Sequence, residues 1–178
     1  MKKSVIAPIA AILLMAVLLL GASKGLSSME ANYANEEQTI MMRNLLPGSQ
    51  EFTPEEYIGE DANISAVYKA ENGYVIETVT AGYADDVRML VGVSNEGTVT
   101  GLVVRDLSET WGLGAKALTD TDFLSQFLNT SGEAEVGTNV DALTGATVTS
   151  KAVTRSINSA VAFVTGADIS SSATSWGG

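Results

Sequence analysis

The sequence predicts an α+β chain, with one N-terminal transmembrane helix followed by a small domain of antiparallel strands and packed helices. Three observations carry this. An uncharged apolar run separates Lys3 from Lys24. Four short segments rich in Val, Ile, Leu, Tyr and Thr follow one another between Ile64 and Asp106. Segments with helical apolar periodicity flank those strands on both sides.

The run SVIAPIAAILLMAVLLLGAS is about 20 residues long, and at about 1.5 Å per residue it reaches roughly 30 Å, the thickness of a bilayer's hydrocarbon core. Lys2 and Lys3 before it favour a cytoplasmic N-terminus, which places the rest of the chain on the extracytoplasmic side of the cytoplasmic membrane as a single-pass protein. Gly21-Ala22-Ser23 also suits a signal peptidase, so a cleaved leader is the competing expectation, although the run exceeds the usual signal-peptide core. Either way the domain is exported. Four regions follow from this: an anchor over 1–26, a helical linker over 27–63, the domain over 64–169 and a flexible Ser- and Gly-rich tail over 170–178.

Within the linker, Ser27 to Leu46 spaces Tyr33, Ile40, Met41, Leu45 and Leu46 as an amphipathic helix that Pro47-Gly48 stops. Thr53-Pro54-Glu55-Glu56 resembles a helix cap with Pro at the first helical position. The strands are expected at Ile64 to Lys69, Tyr74 to Thr80, Arg88 to Ser94 and Thr98 to Asp106 as an antiparallel meander, with Asn95-Glu96-Gly97 as a hairpin turn. Thr119 to Asn129 begins with capping residues and places Phe123, Leu124, Phe127 and Leu128 for a short helix. The last helix starts near Ser150, repeats Val153, Ile157, Val161 and Val164 on one face, and stops at Gly166.

Composition excludes several chemistries. The chain has no Cys and no His, which removes disulfides, a lipid-modified Cys, the usual zinc, haem and iron–sulfur sites, and the base of a Ser-His-Asp or Cys-His apparatus. No metal site is expected, and redox chemistry requires an organic cofactor. From Lys24 onward, 8 basic residues face 21 acidic ones, a balance that repels nucleic acid.

Two stretches stand out. Asp141 to Ser150 (DALTGATVTS) sets a Gly turn and several hydroxyls against the start of a helix, with Thr149 or Ser150 as N-cap. Helix starts carry unpaired N–H groups and the positive end of the dipole, so a phosphate suits the position. Taken alone, the stretch equally fits a well-capped helix. Spacing alone does not choose among Thr144, Thr147, Thr149 and Ser150 as the residue touching such a phosphate. The second stretch, Ser108 to Lys116 (SETWGLGAK), has two glycines around Leu113 that permit close backbone approach, and Trp111 that suits a flat ring.

The order of Gly82-Tyr83, the Asn-Glu-Gly hairpin, ETWGLG and DALTGATVTS resembles the FMN-binding domain found in the G subunit of Rnf-type ion-translocating electron-transport complexes. The C subunit of sodium-pumping NADH:quinone oxidoreductase is related through that domain. The resemblance covers nearly the whole chain. It implies covalent FMN, joined by a phosphoester to the last Thr of the (S/T)GAT motif, here Thr147 within Thr144-Gly145-Ala146-Thr147, with Thr149 close by. It also implies that Asp141 serves recognition by a separate flavin transferase. Glu109, Thr110, Gly112, Leu113 and Gly114 match the family's ETPGLG signature, whereas Trp111 stands where Pro is usual. The implied role is an electron relay without acid–base catalysis of its own, assembled with other membrane subunits. Such complexes couple electron transfer between ferredoxin and NAD to Na+ or H+ movement. Lys116 and Arg155 are candidates to offset the phosphate's charge, or else ordinary solvated cations. Two other outlines remain open on the residues alone: a stand-alone extracellular FMN carrier, and a pilin-like surface protein, although the apolar run lacks the early Glu that pilins use.

Overall fold

The computed structural model describes residues 36–106, 118–131 and 133–167. The expected anchor, the Ser108 to Lys116 stretch and the tail after Ser170 lie outside the described residues. The chain divides into two compact units, Met1–Ile40 and Met41–Gly178. Of the first, the described part is helical over 36–40.

The second unit is built on a five-stranded antiparallel meander, in the order β1 (Thr53–Glu55), β2 (Ile64–Ala70), β3 (Gly73–Ala81), β4 (Asp86–Ser94), β5 (Val99–Asp106). Four of these strands lie where the sequence places them. Alternation explains their setting: Val87, Met89, Val91 and Val93 of β4 are buried in one core cluster and Leu90 in a second, so both faces of β4 carry packed apolar residues. The β4–β5 turn closes through Gly97, whose φ of 80° suits glycine, and Gly97 N–H donates to the Ser94 carbonyl at 2.9 Å.

β1 corrects the expected cap at Thr53-Pro54. These residues form an edge strand, with Pro54 opposite Tyr68 of β2. Proline lacks an N–H to donate and is tolerated at a sheet edge. No apolar stripe of helical period follows Glu56, so the cap signal has no helix to start.

One face of the sheet carries α3 (Thr147–Thr165), which packs across β2, β3 and β4 and buries Ala152, Val153, Ile157, Ala160 and Val161. Each fully buried Val or Ile contributes roughly 1.5–3 kcal/mol relative to exposure. Polar bonds fix its seating: the Thr80 hydroxyl donates to the Ala152 carbonyl at 3.0 Å and lies 2.9 Å from Ser156 Oγ. Gly166, at φ 68°, ends the helix as expected. Phe163 packs edge-on against Tyr57 and Tyr74.

The other face meets the helical turn over 41–45 (α1) of the same unit, whose Met42 and Leu45, followed by Leu46, pack on Val75 and Leu90. Here the cross-strand pair Gly92 and Gly101 lies under the Leu45 backbone. The Thr100 hydroxyl donates to the Leu45 carbonyl at 2.6 Å. The absence of two side chains is what allows the helix end to lie directly on the strands. The short helix α2 (Thr121–Ser125) is capped by Asp120, which accepts the Phe123 N–H at 2.9 Å, and it continues as turns to Asn129 rather than as the longer helix expected.

Among the described residues no helix is long and apolar enough to cross a membrane.

Candidate functional site

The segment from Asp141 to Ser150 leads into α3, and its geometry begins with a turn. The Ala146 N–H donates to the Leu143 carbonyl at 2.9 Å, closing four residues in which Gly145 has a φ of 81°. A side chain at Gly145 would strain that backbone, so glycine is required by conformation here. Thr144 and Gly145 are exposed, whereas Ala146 is buried.

The helix starts at Thr147, three residues before the expected Ser150, and its N-cap is Ala146. This overturns Thr149 and Ser150 as caps. The reason lies in the seating of α3 on the sheet: Thr149 and Ser150 fall on the buried face, at 1% and 0% exposure. Ser150 instead turns its hydroxyl inward, donating to the Ala146 carbonyl at 2.9 Å and accepting the Leu143 N–H at 3.3 Å. The N-cap therefore has no side-chain oxygen, and the first turn has no acidic residue. A helix of 19 residues that begins this way offers N–H groups and dipole to an external anion.

Thr147 occupies the first helical position with its side chain exposed. Lys151 follows one turn later and is also exposed, within the reach of an i, i+4 pair. Arg155 is eight residues from Thr147, roughly 12 Å along the axis. Its guanidinium donates to the Ala81 carbonyl at 2.8 Å, and burial lowers its pKa. Arg155 thus ties the end of β3 to α3 and does not sit beside Thr147. Lys116 lies outside the described residues.

The Asp141 backbone is clamped by an amide that sequence reasoning missed. Gln126 Nε2 donates to the Asp141 carbonyl at 3.2 Å, and the Asp141 N–H donates to Gln126 Oε1 at 2.8 Å. Asp141 itself is exposed. Asn158 of α3 makes the same kind of double bond to Ala134, at 2.9 and 2.8 Å. Nothing in local spacing marks Gln126 or Asn158, because each is an ordinary polar residue until the loop folds back on it.

Two hollows lie elsewhere. A cleft of about 280 Å³ is lined by residues that include Gln126, Phe127, Glu133 and Asn139, and one of about 290 Å³ by Ala81 to Asp86. Among the described residues that line them, the first has a carboxylate and no basic residue, and the second has Asp85 and Asp86. Both disfavour an anion. Of these three places, the start of α3 is the one whose electrostatics suit a phosphate. Glu109, Thr110, Trp111, Gly112, Leu113 and Gly114 lie outside the described residues.

Residues 82–162 match the family model of the FMN-binding domain, a span that includes β4, β5 and the whole Asp141 to Ser150 segment. The chain is 34% identical over 143 residues to the G subunit of the ion-translocating oxidoreductase complex of Methanosarcina acetivorans, covering 72% of this chain and 76% of that protein. It is 38% identical over 98 residues to the G subunit of the Na(+)-translocating ferredoxin:NAD(+) oxidoreductase complex of Acetobacterium woodii, covering 50% and 47%. It is 36% identical over 110 residues to the G subunit of the proton-translocating ferredoxin:NAD(+) oxidoreductase complex of Clostridium ljungdahlii, covering 55% and 59%. The match thus spans about half the length of the Acetobacterium relative and about three quarters of the Methanosarcina one.

Proposed function

The chain belongs to the G-subunit family of ion-translocating oxidoreductase complexes, and from that premise we propose that it is a membrane-anchored electron-transfer flavoprotein subunit with FMN joined by a phosphoester to Thr147. Its setting is an Rnf-type complex that couples electron transfer between ferredoxin and NAD to Na+ or H+ translocation. The partners are other membrane subunits and, for maturation, a flavin transferase. The anchor over 1–26 holds the domain on the extracytoplasmic side of the cytoplasmic membrane.

The observation that carries this reading is the exposed Thr147 hydroxyl at the first position of a long helix whose N-cap offers no side-chain acceptor. The residues present fit the group. A phosphate ester on Thr147 has the positive end of α3 beside it, and no carboxylate in the first turn repels it. Gly145 lets the chain turn sharply before Thr147, and the buried Ala146 anchors the turn to the core. When bound, FMN supplies one- and two-electron redox chemistry, and the protein's part is to hold it and set its surroundings. A covalent tether also keeps the cofactor on a domain exposed outside the cell, where a dissociable one is diluted away. Asp141, clamped by Gln126 and exposed, is the feature for the transferase to recognise. Glu109 to Gly114 enter as cofactor-binding residues from sequence alone.

The test is the intact mass of the full chain co-produced with a flavin transferase, with in-gel flavin fluorescence after denaturation. The expected result is a mass increase of one FMN less water, mapping to the Thr147 peptide and absent from Thr147→Ala. Covalent flavin retained in that variant moves the attachment to a neighbouring hydroxyl, and an unmodified wild-type mass beside an active transferase refutes the proposal.

A further inference from the structure

We infer that Ser150 is a positioning residue for flavin attachment, its buried hydroxyl holding both ends of the turn that presents Thr147. The inference rests on Thr147 as the acceptor and adds what fixes that acceptor in place.

A hydroxyl has one proton to donate and two lone pairs to accept with. Ser150 uses both capacities on one turn: it donates to the Ala146 carbonyl at 2.9 Å and accepts the Leu143 N–H at 3.3 Å. Leu143 and Ala146 are the two ends of the turn closed by the Ala146 N–H to Leu143 carbonyl bond at 2.9 Å. The Ser150 N–H adds a further bond to the Ala146 carbonyl at 2.8 Å.

Half of this pattern is common. Thr154 and Thr165 also bond back four residues along α3, to the Ser150 and Val161 carbonyls at 2.9 and 3.0 Å. Among the described residues the bond from Leu143, which precedes the helix, has no counterpart at Thr154, and at Thr165 the outside N–H is that of Ala167, beyond the other end of the helix, at 3.4 Å. Ser150 is also fully buried, so water does not replace the hydroxyl if it is removed. Thr147 is exposed and makes no side-chain hydrogen bond among the described residues, so its placement depends on the turn before it and the helix after it. Ser150 joins those two.

Attachment forms a bond from Thr147 Oγ to the FMN phosphorus of a flavin phosphoanhydride held by the transferase. The anhydride bond breaks, its other phosphate leaves with the electron pair, and the hydroxyl proton passes to the transferase. Such a displacement is sensitive to alignment, where a misplacement of about 1 Å can cost on the order of 100-fold in rate.

The experiment compares wild type, Ser150→Ala and Thr154→Val as full chains, each with purified transferase and its flavin donor. Flavin incorporation is followed by intact mass, and amide exchange at Leu143 is measured in parallel. Thr154→Val removes a buried hydroxyl with the same backward bond from the same helix but leaves the turn alone. In Ser150→Ala the maximal loading rate is expected to fall roughly tenfold or more, with an unchanged half-saturating chain concentration, and Leu143 exchange is expected to accelerate. Thr154→Val is expected to match wild type in both. A Ser150→Ala chain that loads at the wild-type rate overturns the inference, and so does an equal loss in Thr154→Val, which reduces the effect to general stability. Wild-type chain that takes flavin elsewhere, or none, overturns the Thr147 reading itself.

Discussion

Replacing Gly92 with Ala tests the packing of α1 on the sheet by adding one carbon. The added Cβ would overlap the Leu45 carbonyl oxygen and come within 2.7 Å of the Leu45 carbonyl carbon and 2.9 Å of Thr100 Oγ1. Two of these atoms are backbone, so relief requires the helix end to back away by about 1 Å to reach ordinary contact. That movement breaks the 2.6 Å bond from Thr100 to Leu45 and opens the apolar contact of Leu45 and Leu46 with Val75 and Leu90. Overpacking of this kind costs about 1–3 kcal/mol and the lost hydrogen bond about 1 kcal/mol, so the expected loss is about 2–4 kcal/mol. For a unit of this size that lowers Tm by on the order of 10 °C. Thermal and urea unfolding of Gly92→Ala against wild type measure it. Gly137→Ala is the control, because Gly137 has a φ of 87° with nothing near its missing Cβ. That variant carries backbone strain alone, about 1 kcal/mol. If Gly92→Ala unfolds within about 0.5 kcal/mol of wild type, the glycine pair is not what admits the helix end, and the argument from close approach fails.

Two further outcomes follow from local bonds. Asn158→Ala removes the double bond to Ala134 and leaves a partly buried N–H without its acceptor, so a loss of about 1–2 kcal/mol is expected, with faster amide exchange at Ala134; unchanged exchange there refutes the clamp. The Glu96 carboxyl titrates below its ordinary value because the Ser94 hydroxyl bonds to it and a backbone N–H adds to the effect. Its folded pKa is depressed, so its small contribution to the hairpin turn is present above the ordinary carboxylate pKa and lost as pH falls through the depressed one. NMR titration of Glu96 is expected to show that low midpoint in wild type and a return toward 4.5 in Ser94→Ala; equal midpoints in both refute the assignment to Ser94.

What the sequence determined by itself was whatever depends on residues near one another along the chain. The β4–β5 hairpin was legible because Gly97 supplies the left-handed turn between two apolar runs, and α3 because Val153, Ile157 and Val161 repeat at helical period before Gly166. The motif before α3 was legible as composition: a glycine turn and hydroxyls next to a helix start. Tertiary structure decided which of those hydroxyls face solvent. Thr147 is left outside, while Thr149 and Ser150 turn inward, because α3 lies against the sheet through that face, and no local rule about capping contains the sheet. The same reason hid β1, whose Pro54 makes sense only once β2 lies beside it. It also hid the Gly92 and Gly101 pair, whose purpose appears only when two strands in register meet a helix end from a distant part of the chain. Hydrogen bonds from Gln126 to Asp141 and from Asn158 to Ala134 join residues 15 and 24 positions apart, so their geometry existed only after the core had brought the loop and the helix together.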